Sequence, residues 1–200
     1  EFHCLRKGGD LCFAQAGENQ YHCILGGDRC FIVHPSDTAP MLVALGAEVQ
    51  IDGPDGKRAM PVEKFHVPPA VDVQRETFLE AGEVVTEIRI PGAKRGMKSL
   101  YRKVRARGAW DFALAGVALA LEMDGDVVRK ASVVLSGAAP VPWRAVGAEE
   151  ELVGKRISRE VASKAAEAAM SRAEPLSENG YKVPLFRGVI EESLMELAKA

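Results

Sequence analysis

Four cysteines fall within the first thirty residues, and none follows. They are Cys4, Cys12, Cys23 and Cys30, spaced C-x7-C-x10-C-x6-C, with His3, His22 and His34 among them. Thiolates are the usual ligands of iron–sulfur clusters and of structural zinc. Bunched thiols can also form a disulfide staple, or serve as small buried hydrophobes. The paired C-x2-C spacing of zinc ribbons is missing, as is the compact ferredoxin run. Wide, uneven spacing on a segment carrying Gly8-Gly9, Gly17 and Gly26-Gly27 favours a cluster wrapped by a loop over a zinc site.

A second group is His34-Pro35-Ser36-Asp37. A serine and an aspartate between an extended segment and a helix start bring a hydroxyl, a carboxylate and free backbone N–H groups together. That set suits the polar parts of a nucleotide or ribityl chain. The plainer reading is an ordinary N-cap. A third group is the basic stretch Arg102, Lys103, Arg105 and Arg107, leading into Trp110-Asp111. Such a strand commonly forms a solvated face. Turned toward a cofactor, Lys103 could stabilise anionic charge such as that of a reduced flavin. There is no G-x-G-x-x-G, P-loop, nucleophile elbow or H-E-x-x-H, and nothing supports a hydrolase. The lone His66 reads as structural.

These groups sit in a chain of 200 residues, 47% hydrophobic, which is enough for one large domain or two small ones. Its 26 basic and 28 acidic residues nearly balance, so no basic excess points to nucleic acid or an anionic membrane. The longest apolar stretch, Phe112 to Leu121 with Gly116 inside it, is too short to span a bilayer, which takes about 20 residues. No signal peptide is legible. The chain does not begin with Met, and its opening reads like the middle of a longer protein. A reduced, cytoplasmic setting is the expectation, with a periplasmic one as the alternative.

Residues 1–29 read as a long loop. Cys30 to His34 is β-branched and aromatic, so a strand is expected there. Ser36 or Asp37 can cap a helix from Thr38 to Leu45, closed by Gly46. Ala47 to Ile51 and Arg58 to Val62 form a hairpin around Gly53-Pro54-Asp55-Gly56. A connection from Val67 to Ala81 leads to a strand from Glu83 to Ile90. Further strands are expected at Ser99–Val104, Phe112–Met123 and Val127–Ser136. Helices are expected at Trp143–Val153, Ser158–Arg172 and Val183–Ala200. The inner face of the second helix is read as Val161, Ala165, Ala168, Ala169 and Arg172. The fold class is therefore α+β, with a boundary near residues 92–97.

Taken in order, the motifs resemble a known family. HPSDTAPMLVALGAEVQIDGPDGKRAMPVEKF is similar to the second half of the flavin-binding domain of molybdenum hydroxylases. This is the FAD-binding medium subunit of the xanthine dehydrogenase, carbon monoxide dehydrogenase and aldehyde oxidoreductase type. Glu83, Val85, Ile88, Ile90 and Pro91 match its E-x-V-x-x-I-x-I-P element. Tyr101 to Ala113 match its basic strand ending in D-F-A, and YKVPLFRGVI its tail. CLRKGGDLC and YHCILGGDRC resemble the cysteine loop that carries a [4Fe–4S] cluster in one branch.

The resemblance implies the C-terminal part of a PCMH-type FAD-binding domain, then a three-stranded antiparallel sheet with a three-helix bundle. The divisions are a cysteine-bearing loop at 1–29, the second half of the FAD domain at 30–94 and a C-terminal α+β domain at 95–200. Ser36, Asp37 and Lys103 are the implied FAD contacts, and the strand Glu83 to Ile90 is expected to line their site. Cys4, Cys12 and Cys30 are implied cluster ligands. Cys23 stands where the family has a small residue, and is either a substitute fourth ligand or an extra cysteine. The family's glycine-rich pyrophosphate segment and T-I-G-G-N motif are not in this chain. Molybdopterin and [2Fe–2S] clusters would lie on a large and a small partner subunit. Electrons would pass through the clusters to FAD and on to an acceptor, with no catalytic acid or base required. The competing reading is a non-catalytic structural fragment or a zinc-binding interaction module.

Overall fold

The computed structural model describes residues 2–108 and 110–199. Residues 2–35 hold two single 3-10 turns, Leu5–Lys7 and Phe13–Gln15, and no strand. The strand expected at Cys30–His34 is absent. Its backbone groups go to separate partners instead of a ladder: Cys23 N–H donates to Phe31 O (2.9 Å) and His34 N–H to Ala139 O (2.8 Å). Ile24 and Leu25 both donate to Ala138 O. The loop is thereby tied, residue by residue, to the second half of the chain.

Helix α1 (Thr38–Ala44) is followed by β1 (Glu48–Gly53), β2 (Gly56–Pro61) and β3 (Val84–Arg89). Gly46, at φ +70°, ends the helix, letting Ala47 N–H reach Leu42 O at 2.9 Å. The sheet is antiparallel with order β2-β1-β3. Only Val49 and Ile51 of β1 are buried, because the sheet covers its neighbours on one face alone.

The second half contains β4 (Met97–Val104), β5 (Ala115–Asp124), β6 (Val127–Ser136) and β7 (Trp143–Arg144), in sheet order. The three expected strands are thus joined by a two-residue fourth, drawn from the start of the expected Trp143 helix. Helices α2 (Val146–Leu152), α3 (Arg159–Ala169) and α4 (Lys182–Lys199) follow. Strand β5 starts at Ala115, and Phe112 stands outside it, exposed.

Both faces of β5 are covered. Val117, Leu119 and Leu121 pack with Leu152, Ala165, Phe186 and Ile190 of the helices. Ala118 and Ala120 pack with Val43 and Ala44 of α1 and with Val49 and Ile51 of β1. This two-sided burial accounts for the continuous apolar run, and the alanines let α1 approach closely. Each fully buried Val or Leu contributes about 1.5–3 kcal/mol. Helix α3 is capped by Ser158, whose Oγ accepts from Val161 N–H at 3.2 Å. Its buried face is Ala162, Ala165, Ala166 and Ala169, so the expected face is rotated by one residue and Arg172 lies beyond the helix, exposed.

Candidate functional site: a basic cleft beside a thiol loop

Two of the three residues expected at a cofactor meet directly. Asp37 precedes α1, and Lys103 lies near the end of β4. Lys103 Nζ donates to Asp37 Oδ2 at 2.7 Å. Tyr101, two residues earlier and so on the same strand face, donates its hydroxyl to Asp37 Oδ1 at 3.0 Å. Burial and the Asp37 carboxylate push the Tyr101 phenol up to about 12, against the opposing effect of Ser136, so it is a neutral donor.

Ser36 behaves as a cap. Its Oγ accepts from Ala39 N–H at 3.0 Å and lies 3.2 Å from Thr38 Oγ1. Its carbonyl accepts from Ser136 Oγ at 3.1 Å. The N-cap reading therefore holds for Ser36, while Asp37 is bound across the chain and not to the helix.

Beyond this cluster opens a cleft of about 540 Å³, lined by Pro35, Asp37, Lys103, Arg105, Arg107, Trp110, Asp111 and Phe112. Arg107 holds Trp110 by donating to its carbonyl at 2.6 Å. Trp110 adopts φ +52°, rare for a bulky residue, and its ring is almost fully exposed (94%). Cationic side chains beside exposed aromatic surface can take a flat, anionic ligand. Strand β3 supplies none of this lining. A second cavity of about 310 Å³ lies between α1 and β5/β6. Most of its charges are matched, Glu122 with Lys94 and Arg129 and Arg144 with Glu63 and Glu149, while Lys130 has no ion pair among the described residues.

The four cysteines are all free thiols. Cys4 and Cys12 are partly exposed, and Cys30 is buried. Cys23 is fully enclosed, packing with Ala14 and Phe31, and Cys12 leans on the same group. Burial pushes the Cys23 thiol up to about 12, although Lys182 opposes this. Among the described residues, no three His, Cys, Asp or Glu side chains converge on a point that could hold a single metal ion. A mononuclear zinc centre is thus not formed here. A four-iron cube gathers its thiolates about one point at wider spacing than a single ion does, and Cys12 and Cys30 both lie near Cys23.

The loop is fastened by residues that the spacing of cysteines did not signal. Arg6 pairs with Glu76 at 2.7 Å and donates to Val73 O and Arg75 O, with the Cys30 thiol nearby. Asn19 donates to Ala14 O and Ser177 Oγ, and accepts from Glu178 N–H. Asn179 Nδ2 donates to His22 O and Cys23 O, both at 3.1 Å. Lys182 Nζ donates to Tyr21 O, His22 O and Gly137 O, each at 2.9 Å. Lys182 belongs to the tail motif, the one sequence signal that could have drawn attention to it. His66 has a structural setting: its ring lies 4.4 Å from that of His34, and burial pushes it down to about 4.

Comparison with known proteins matches residues 20–93 to the FAD-binding domain of molybdopterin dehydrogenases. Residues 99–197 match the C-terminal domain of carbon monoxide dehydrogenase flavoproteins. The chain is 32% identical to the FAD-binding subunit PaoB of an aldehyde oxidoreductase from Escherichia coli, over 96% of this chain and 57% of that protein. It is 33% identical to the carbon monoxide dehydrogenase medium chain of Hydrogenophaga pseudoflava, over 76% of this chain and 50% of that one. Among solved structures, a carbon monoxide dehydrogenase from Hydrogenophaga pseudoflava superposes with a TM-score of 0.70 at 27% identity, covering 89% of this chain and 58% of that chain. Quinoline 2-oxidoreductase from Pseudomonas putida superposes at 0.67 with 26% identity, over 92% and 60%. The chain thus spans roughly half to three-fifths of the length of these relatives.

Proposed function

Because the chain belongs to the flavin-subunit family of the molybdopterin dehydrogenases, we propose that it carries electrons within such an oxidoreductase. The proposed path runs from iron–sulfur clusters through FAD to an acceptor, with a molybdopterin-bearing large subunit and a [2Fe–2S] small subunit as partners. The observation that carries this reading is the Asp37–Tyr101–Lys103 cluster at the mouth of a cleft with two further arginines and two exposed aromatics.

FAD, when bound, supplies the electron exchange between one-electron and two-electron partners. The chain's task is to bind, orient and tune it. Asp37 holds Lys103 in place, and Lys103 offers positive charge to the cleft. Arg105 and Arg107 extend that charge along the strand exit. Trp110 and Phe112 supply apolar surface for a planar ring. Ser36 fixes the start of α1 by accepting from Ala39 N–H. The division into 1–29, 30–94 and 95–200 belongs to the same proposal.

The cysteine loop is read as a [4Fe–4S] site using Cys4, Cys12 and Cys30, with Cys23 as a packing residue. We place the chain in a reduced, cytoplasmic setting, with a periplasmic one as the alternative. Among the described residues no helix is long and apolar enough to cross a membrane. FAD and iron analysis of the complete protein tests the reading. Flavin and about four irons per chain are expected; a colourless protein lacking both would overturn it.

A further inference from the structure

Lys182 is fully buried, and among the described residues no carboxylate pairs with it. Its ammonium is met by three backbone carbonyls, those of Tyr21, His22 and Gly137. Carbonyl dipoles solvate a cation only in part, and an ammonium taken out of water costs several kcal/mol unless charge of the opposite sign lies near. Every acceptor but one belongs to the segment leading directly into Cys23, against which Cys12 packs and beside which Cys30 lies. Asn179, three residues earlier, grips the same segment through His22 O and Cys23 O. Two side chains, one just before α4 and one at its first residue, therefore hold the thiol loop, and the second brings an unneutralised positive charge.

We infer that Lys182 is the buried counter-charge of the thiol-bound cluster, positioning the loop and raising the cluster's reduction potential. The inference rests on the cluster reading above. A thiolate-ligated cluster is anionic, and accepting an electron makes it more so. A fixed ammonium in a low-dielectric setting favours the reduced form. Lys182 touches no cluster atom in this argument, so it is a positioning and tuning residue.

The test is an EPR-monitored redox titration of the complete protein, isolated with its partner subunits, as wild type, Lys182→Met and Lys182→Gln. Both variants remove the charge, and Gln keeps hydrogen-bond donors. The reduced-to-oxidised ratio at a fixed potential should fall about tenfold or more, which for one electron is a shift of about 59 mV to lower potential. A neutral variant loaded with iron but titrating with the wild type would overturn the counter-charge role and leave the cluster intact. If neither variant retains iron, thermal unfolding of the iron-free proteins decides. Wild-type-like unfolding would support the inference; variants already unfolded without iron would reduce Lys182 to a clip for the fold and overturn it. A wild-type protein with no iron on this chain would overturn the cluster assignment itself, and this inference with it.

Discussion

Lys103 Nζ lies 2.7 Å from Asp37 Oδ2, joining the turn before α1 to a strand that comes more than sixty residues later. Tyr101 completes the group from the same strand face, at 3.0 Å from Asp37 Oδ1. The site is thus made where the first unit leans on the second.

That arrangement depends on Gly116. A Cβ at this position would stand 2.9 Å from Ser136 Cβ and 3.0 Å from the Tyr101 hydroxyl. Gly116→Ala should push Tyr101 off Asp37 and destabilise the protein by about 1–3 kcal/mol. Tyr101→Phe should cost about 1 kcal/mol, one hydrogen bond. Urea unfolding of both variants checks this. A Gly116→Ala protein as stable as wild type would show that the contact relaxes without cost.

The thiols should separate by role. Cys12→Ser is expected to lower iron per chain, while Cys23→Ala should leave iron unchanged and cost stability through a small cavity. Iron analysis alongside thermal unfolding distinguishes them. Equal iron loss in both variants would make Cys23 a ligand.

Glu149 is 6% exposed and accepts from Arg144 Nε and Nη2 and from Val133 N–H. Glu149→Ala leaves the Val133 N–H without its acceptor and the Arg144 guanidinium with Glu63 alone, so about 2–3 kcal/mol should be lost. Glu149→Gln, which keeps one oxygen acceptor, should lose less. Denaturant midpoints measure the difference, and equal losses would mean that the charge alone matters.

Acid should act through the edge-to-face pair of His34 and His66. His66 is held down to about 4 by burial first and by the neighbouring His34 second, with Glu76 opposing. His34 is lowered by burial as well, again opposed by Glu76. The unfolded chain binds a proton near pH 6.5 and the folded one only near pH 4, so stability is full above 6.5 and falls as the pH drops toward 4. For His66 alone the loss between pH 7 and pH 5 is roughly 2 kcal/mol. His66→Phe should flatten that fall in melting temperature. An unchanged pH profile would remove His66 from the acid response.

Local patterns revealed most of the fold. Gly46 and the Gly53–Gly56 turn mark the end of α1 and the hairpin, and both occur where glycine and proline chemistry requires them. The failures have a common cause. Cys30–His34 has strand-like residues, yet its backbone partners are Cys23, which donates to Phe31 O, and Ala139, which accepts from His34 N–H, one at a time, which no local pattern encodes. Trp143-Arg144 pairs with Leu135 and Val134 of β6 before the helix can begin, another choice made by a distant partner. At the site, Asp37 and Lys103 were legible through motif resemblance. Tyr101's bond to Asp37 and the hold of Asn179 and Lys182 on the cysteine loop depend on contacts between segments far apart in sequence.

The central claim is that the Asp37–Lys103 cleft holds the flavin, and FAD affinity tests it most directly. Lys103→Met should weaken FAD binding to the complete protein about tenfold to a hundredfold, the worth of one charge-assisted hydrogen bond, with little change in melting temperature because the Asp37 carboxylate left behind is 46% exposed to water. Flavin fluorescence titration of the flavin-stripped protein measures it. An unchanged affinity in a folded Lys103→Met protein would contradict the assignment.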